Sequence, residues 1–292
     1  MESTSVPRRG IGLALLAAIA LTAHGGGQAP PTIRLYAFDG GTLESDPARY
    51  QLKNEEVAAT QLSVTAFLVV HPRGTLMWDA GAVSDDTWTP TGGPVERRVI
   101  LSDYRERPVT VRQTLKAQLA ASGYRATDIT YLALSHYHWD HTANANAFAN
   151  ATWLVRKVER DAMFPEPPPQ VPQPSTFAAL HASKAVVITT DQYDVFGDGT
   201  VIIMATPGHT PGHQSLYVKL PKTGGVVLSG DLYHYPEERT LNRWPPSDAN
   251  VDQLRASRGS LEAFLKRTGA QLWIQHDLNA SARLKKAPAY YE

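Results

Sequence analysis

The sequence predicts an α/β fold in one domain, and three observations carry that prediction. Short β-type runs recur along the chain, stretches with apolar residues at helical spacing alternate with them, and no internal repeat divides the whole. In addition, residues of metal-ligating type fall just past the C-terminal ends of predicted strands. Loops at that edge of an α/β sheet converge on one crevice while the strands hold them in place, so the pattern also predicts where a site lies.

The elements follow in order. Residues 1–29 stand apart: Arg8 and Arg9 precede an apolar run at residues 11–23, followed by Gly25, Gly26 and Gly27, with Ala23 or Ala29 suited to a cleavage point. This is the pattern of a secretory signal, which places residues 30–292 in the periplasm or outside the cell; an uncleaved anchor or a disordered tail is the blander reading. The run is short for a bilayer span and no second one follows, so no stable membrane anchor is expected after processing. The arginine pair also fits a weak twin-arginine signal.

Beyond it, β-type runs at residues 33–38, 63–70 and 75–78 include a hairpin, with Pro72 and Gly74 in the turn. After a long polar loop, Thr110 and Gln113 form a capping-box pattern, Val111, Leu115 and Leu119 recur at helical spacing, and Gly123 marks a stop. Strands are expected at 129–135, 201–205, 226–230 and 271–275, with a helix carrying Leu254, Leu261 and Leu265 before the last. Between Pro165 and Pro174 lie six prolines, which favour an extended loop, either a surface connector or a wall near the site.

Composition excludes several functions. The 292 residues are 42% hydrophobic, which suits a globular protein, and 28 basic residues balance 28 acidic ones. No field favours nucleic acid or an anionic surface, and removing Glu2, Arg8 and Arg9 with the signal leaves that balance near neutral. The absence of cysteine rules out thiolate catalysis and Cys-ligated zinc.

The chemistry concentrates at His136, His138, Asp140 and His141, directly after the run at 129–135. Neutral imidazole and carboxylate suit zinc and its first-row neighbours, and close spacing lowers the entropic cost of assembling a site. A lone histidine is usually a surface or core residue; three beside an aspartate are a metal site in outline. Later strand ends carry His209, Asp231 and His276.

These motifs, with Thr206-Pro-Gly-His-Thr-Pro-Gly-His-Gln-Ser215, Ser229-Gly-Asp231 and Gln275-His-Asp277, resemble the metallo-β-lactamase superfamily. Within it the chain is most similar to the N-acyl homoserine lactonases that quench quorum sensing, over essentially all of residues 30–292. The resemblance implies an αβ/βα four-layer sandwich with metals at one edge between two sheets. It implies that His136, His138 and His209 hold one metal, that Asp140, His141 and His276 hold a second, and that Asp231 bridges them. Two zinc ions are expected, with other first-row divalent metals as substitutes. The bridging aspartate argues against class B β-lactamases, and His138 stands where flavo-diiron oxidoreductases carry glutamate. His213 is expected to support the site rather than ligate, and His24, His71 and His181 are assigned no role.

The implied reaction is opening of the lactone ring of an N-acyl homoserine lactone by a hydroxide bridging both metals, with Asp140 as proton shuttle. One departure bears on substrate: the lactonases place a tyrosine three residues after the bridging aspartate, and this chain has His234 there, between Tyr233 and Tyr235. All three are candidate catalytic residues. Trp139, where the family often has phenylalanine, is a candidate wall for an acyl chain. The expected partner is a small lactone or ester. β-lactams, organophosphates and aryl esters are the alternatives for an exported hydrolase of this fold. A non-catalytic metal-binding protein is the alternative of another class, against which the complete ligand set argues.

Overall fold

The computed structural model describes residues 1–2, 32–101, 105–166 and 175–292. The signal reading and most of the proline-rich stretch lie outside the described residues. Residues from Pro31 to Glu292 form one compact unit, and none of the helices described is long and apolar enough to cross a membrane.

The first sheet contains β1 (Arg34–Glu44), β2 (Gln61–His71), β3 (Gly74–Trp78), β4 (Val95–Ile100), β5 (Glu106–Val111), β6 (Tyr131–Ala133), β7 (Thr152–Arg156) and β8 (Ala185–Ile188). They lie in the order β4-β5-β1-β2-β3-β6-β7-β8. The second holds β9 (Gln192–Asp194), β10 (Val201–Ala205), β11 (Gln214–Leu220), β12 (Gly224–Leu228) and β13 (Gln271–Trp273), ordered β13-β12-β11-β10-β9. The last strand, β14 (Tyr290–Tyr291), returns to pair with β1. The helices are α1 (Leu115–Ala121), α2 (Trp139–Thr142), α3 (Lys157–Met163), α4 (Pro236–Thr240), α5 (Val251–Thr268) and α6 (Leu278–Arg283).

Side-chain alternation along the strands decides the layers. Leu35 and Ala37 of β1 face the second sheet, where Phe67, Leu76 and Trp78 meet Ile203, Leu216 and Val226. Tyr36 and Phe38 face the other way, under Leu115 and Leu119 of α1 and Met163 of α3. On the far side, Tyr217 and Val227 lie beneath Leu254, Leu261 and Phe264 of α5. Helices, sheet, sheet and helices follow in sequence, which is the αβ/βα sandwich. Each buried leucine or phenylalanine in these seams contributes about 1.5–3 kcal/mol by leaving water.

The hairpin at Pro72 and Arg73 forms as expected, with His71 opposite Gly74. The capping box does not. Thr110 is paired within β5, opposite Thr42 and Glu96, and the cap of α1 is Thr114, whose hydroxyl accepts the Ala117 N–H at 3.1 Å. The long polar loop is in fact the β4–β5 hairpin. In β4 the half-buried Val95, Arg97 and Val99 alternate with the exposed Glu96, Arg98 and Ile100, a pattern too charged to read as a strand.

Candidate metal centre

Five strand ends of the two sheets supply the centre: β3 leads to Asp79, β6 to Ser135 and His136, β10 to His209, β12 to Asp231, and β13 to His276. His138 is the N-cap residue of α2, which puts Asp140 and His141 in that short helix's first turn.

Ligand atoms of His136, His138, His209 and Asp231 lie within 4.8 Å of one another, and those of Asp140, His141 and His276 form a second such group. Asp231 spans both. Its Oδ2 lies 3.5 Å from His136 Nε2 and 3.4 Å from His209 Nε2, while its Oδ1 lies 3.1 Å from the Nε2 atoms of His141 and His276.

Four of the five ligand imidazoles turn one nitrogen inward because the other is held from behind; His138 instead meets His209 Nε2 through its Nδ1 at 2.9 Å. His136 Nδ1 meets Ser135 Oγ at 3.0 Å, His141 Nδ1 meets Asp79 at 3.0 Å, His209 Nδ1 meets Asp248 at 2.7 Å, and His276 Nδ1 donates to the Ser63 carbonyl at 2.7 Å. These partners orient the rings and turn their Nε2 atoms toward Asp231. The Nε2 atoms of His136 and His141 and Oδ1 of Asp231 are buried without a hydrogen-bond partner. Divalent cations would satisfy all three. The donor set of imidazole and carboxylate therefore fits two divalent metals.

The protonation states of the first group's three rings agree with that, while His141 holds a proton that an incoming ion displaces. Burial, helped by the charge of His141, holds His136 far below the ordinary imidazole range. Burial, helped by His209, takes His138 down to about 3, and burial against the pull of Asp231 takes His209 to about 3. Ligands must be neutral imidazoles, so these rings are poised to bind. At His141, burial is outweighed by Asp231, Asp79 and Asp140, which raise its pKa well above normal. Burial alone would raise Asp231, but His141, His276, His136 and His234 hold it well below the carboxylate range.

His213 is a support. Its Nδ1 donates to the Thr206 carbonyl at 2.9 Å, which leaves Nε2 to accept the Asp231 N–H at 3.0 Å. Gly230 makes room for it: its φ is +55°, and a Cβ there would sit 2.6 Å from that Nε2.

The triplet after Asp231 divides, because successive residues of extended chain point apart. His234 enters the centre, with Nε2 3.2 Å from Asp231 Oδ2, its ring 4.3 Å from Tyr50, and its plane stacked on His276 at 5.6 Å. Tyr233 does not. Its hydroxyl donates to Glu262 of α5 at 3.2 Å and Arg258 lies over its ring at 4.2 Å, which turns it into the helix layer. Tyr235 packs on Tyr50 at 5.3 Å behind His234, and burial pushes its phenol up to about 12. Glu238 anchors the turn by accepting the N–H groups of His234 at 2.9 Å and Tyr235 at 3.1 Å.

Trp139 is half-buried against the cluster that includes Tyr235. It also lines a cavity of about 1430 Å³ that takes in His138, Val99, Leu115, Leu119 and Phe148. Sequence reasoning missed Asp79, Ser63, Asp248, Glu159 and Tyr50. Asp79 had a usable signal, since it follows β3 as Asp231 follows β12; the others sit in unrelated segments.

A model of the metallo-beta-lactamase superfamily matches residues 59–269. The N-acyl homoserine lactonase AttM of Azorhizobium caulinodans is 32% identical over 281 residues, covering 89% of this chain and 99% of that protein. AttM of Agrobacterium fabrum is 31% identical over 277 residues, covering 89% and 98%. Among solved structures, Bacillus thuringiensis AiiA with N-decanoyl-L-homoserine bound at its active site aligns with a TM-score of 0.70 at 22% identity, covering 89% of this chain and 99% of that one. At that identity the likeness is one of fold. With the ligand groups, the sandwich and the AttM relatives agreeing, the chain belongs to the metallo-β-lactamase superfamily, as a metal-dependent hydrolase related over most of its length to N-acyl homoserine lactonases.

Proposed function

We propose that the protein is an exported enzyme that opens the lactone ring of N-acyl homoserine lactones at a centre of two zinc ions. The observation that carries the two-metal reading is Asp231, whose oxygens each face a separate ligand group. The names of the AttM relatives supply the substrate class. Export rests on the signal-like residues 1–29. It is tested by whether deleting them shifts the protein from the periplasm or medium to the cytoplasm.

Zinc ions bound there supply Lewis acidity toward the lactone carbonyl and lower the pKa of water from about 15.7 toward 7. The protein's own groups do the rest. Asp231 is held ionised by the surrounding imidazoles, and Asp79, Asp248, Ser63 and Ser135 keep the ligand rings aimed. Asp140, whose Oδ2 lies 3.6 Å from His276 Nε2, passes a proton to the departing ring oxygen in this reading. His234 faces the same space and is the residue of its triplet that meets substrate.

The cavity beside Trp139 receives the acyl chain. Each buried methylene is worth about 0.8 kcal/mol, so lengthening the chain by two carbons raises kcat/KM by roughly tenfold while the apolar wall lasts. Trp139→Ala flattens that dependence, measured as the ratio of decanoyl to butanoyl substrate. An unchanged ratio removes Trp139 from the wall.

The deciding experiment is a hydrolysis panel of a long-chain acyl homoserine lactone, a chromogenic cephalosporin and an aryl phosphotriester, each with and without chelator. Chelator-sensitive lactone opening is the expected result. Rapid cephalosporin cleavage with an inert lactone overturns the substrate assignment.

A further inference from the structure

Glu159 of α3 is 3% exposed, and its hydrogen bonds come from two loops and from no cation. Oε1 accepts the Tyr137 N–H at 2.9 Å, the Thr210 hydroxyl lies 2.8 Å from Oε1 and 2.9 Å from Oε2, and Oε2 accepts the Gly212 N–H at 2.7 Å. Both loops carry ligands. Tyr137 lies between His136 and His138, Thr210 follows His209, and Gly212 precedes the His213 that supports Asp231.

The contact is tight on both sides. A Cβ on Gly212 would stand 2.6 Å from Glu159 Cβ, so the loop can approach α3 this closely only as glycine. A carboxylate in this position is expensive: burial pushes its pKa up to about 7 even though the Thr210, Gly212 and Tyr137 hydrogen bonds pull it down. Packing alone would be served by an apolar side chain, which could not accept these donors.

The other ligand group is held by different residues. Asp79 and Gln275 stand behind His141, with Gln275 Nε2 2.8 Å from Asp79 Oδ2, and the Ser63 carbonyl holds His276.

We propose that Glu159 is a positioning residue that clamps the His136–His138 segment to the His209 loop and so builds one of the two ion sites while leaving the other alone. The inference rests on the two-metal reading of the centre but not on the identity of the substrate. A carboxylate that accepts from both loops at once fixes the separation of His136, His138 and His209, and partners of this kind are worth roughly 10–100-fold in metal affinity.

The test counts zinc rather than turnover. Full-length wild-type protein, Glu159→Gln and Thr210→Val are compared by zinc stoichiometry, by competition with a chromophoric chelator, and by anomalous diffraction to locate the retained ion. Glu159→Gln is expected to bind one ion 10–100-fold more weakly, with the retained ion among Asp140, His141 and His276. Thr210→Val, which removes one donor and spares the carboxylate, is expected to shift the same ion by a smaller factor, and it decides the matter if Glu159→Gln does not fold. Asp79→Asn is expected to weaken the opposite ion. Two ions at wild-type affinity in the folded variants, or loss from the His141 group, overturns the proposal. Because zinc is read directly, a failed lactone assay leaves this result intact, and absence of zinc from wild type refutes the two-metal reading instead.

Discussion

Asp231→Asn is expected to lose hydrolysis by roughly a thousandfold or more and to hold fewer than two ions per chain. Three decades correspond to about 4 kcal/mol of transition-state stabilisation, a fair measure of what a bound metal supplies. The cause is visible in the contacts: one oxygen faces His136 and His209, the other His141 and His276. An amide keeps the size but presents an N–H₂ to one of the two groups, so it cannot bridge cations. The comparison that sharpens this is Asp140→Asn, which is expected to keep both ions while turnover collapses, because Asp140 reaches only one group. Metal content and kcat measured on the same preparations separate the two roles. Full metal and full activity in Asp231→Asn would refute the bridge.

Chelation is expected to abolish activity and to lower the thermal transition, with both restored by added zinc. A ligand present at a thousand times its Kd stabilises a fold by about 4 kcal/mol. For a domain of this size that corresponds to roughly 10 °C for each ion removed, at about 2–4 °C per kcal/mol. The effect is large here because the stripped centre leaves His136 Nε2 and Asp231 Oδ1 buried without a hydrogen-bond partner. A transition unmoved by chelation would mean that the ions do not hold the two sheets' strand ends together. Scanning calorimetry on chelated and reconstituted protein reads the difference.

The ligands were legible in the sequence for a physical reason. Metal donors are few in kind, His136, His138, Asp140 and His141 lie within six residues, and strand ends are where α/β folds place chemistry. Strands were legible from apolar runs such as residues 63–70 and 201–205, which became β2 and β10, but their division between two sheets was implied only by the family resemblance. What supports the ligands was not. Asp248 reaches His209, and Ser63 reaches His276, only because strand pairing and loop paths bring distant segments together. No spacing rule records such partners. The β4–β5 hairpin escaped because its arginines and glutamates mask the two-residue period, and Thr110 read as a helix cap because a threonine followed three residues later by glutamine also fits a strand leading into a turn. The triplet at Tyr233, His234 and Tyr235 could be named but not oriented, since which residue of an extended segment points inward depends on what packs behind it, here Glu262 and Arg258.

The return of β14 to pair with β1 has a consequence for the order of assembly. Tyr290 and Tyr291 lie opposite Tyr36 and Leu35, Tyr291 packs on Trp273 at 4.9 Å, and the Glu292 backbone carbonyl accepts the Thr223 N–H at 2.8 Å, so residues 290–292 tie one sheet to the other. His276 comes from this same stretch of chain. During synthesis at roughly 5–20 residues per second, neither the seam between the sheets nor the second ligand group can close until residues 271–292 have emerged. The first ligand group is complete once Asp231 has been made, whereas the second waits for His276, so the two ion sites are completed one after the other as the chain lengthens.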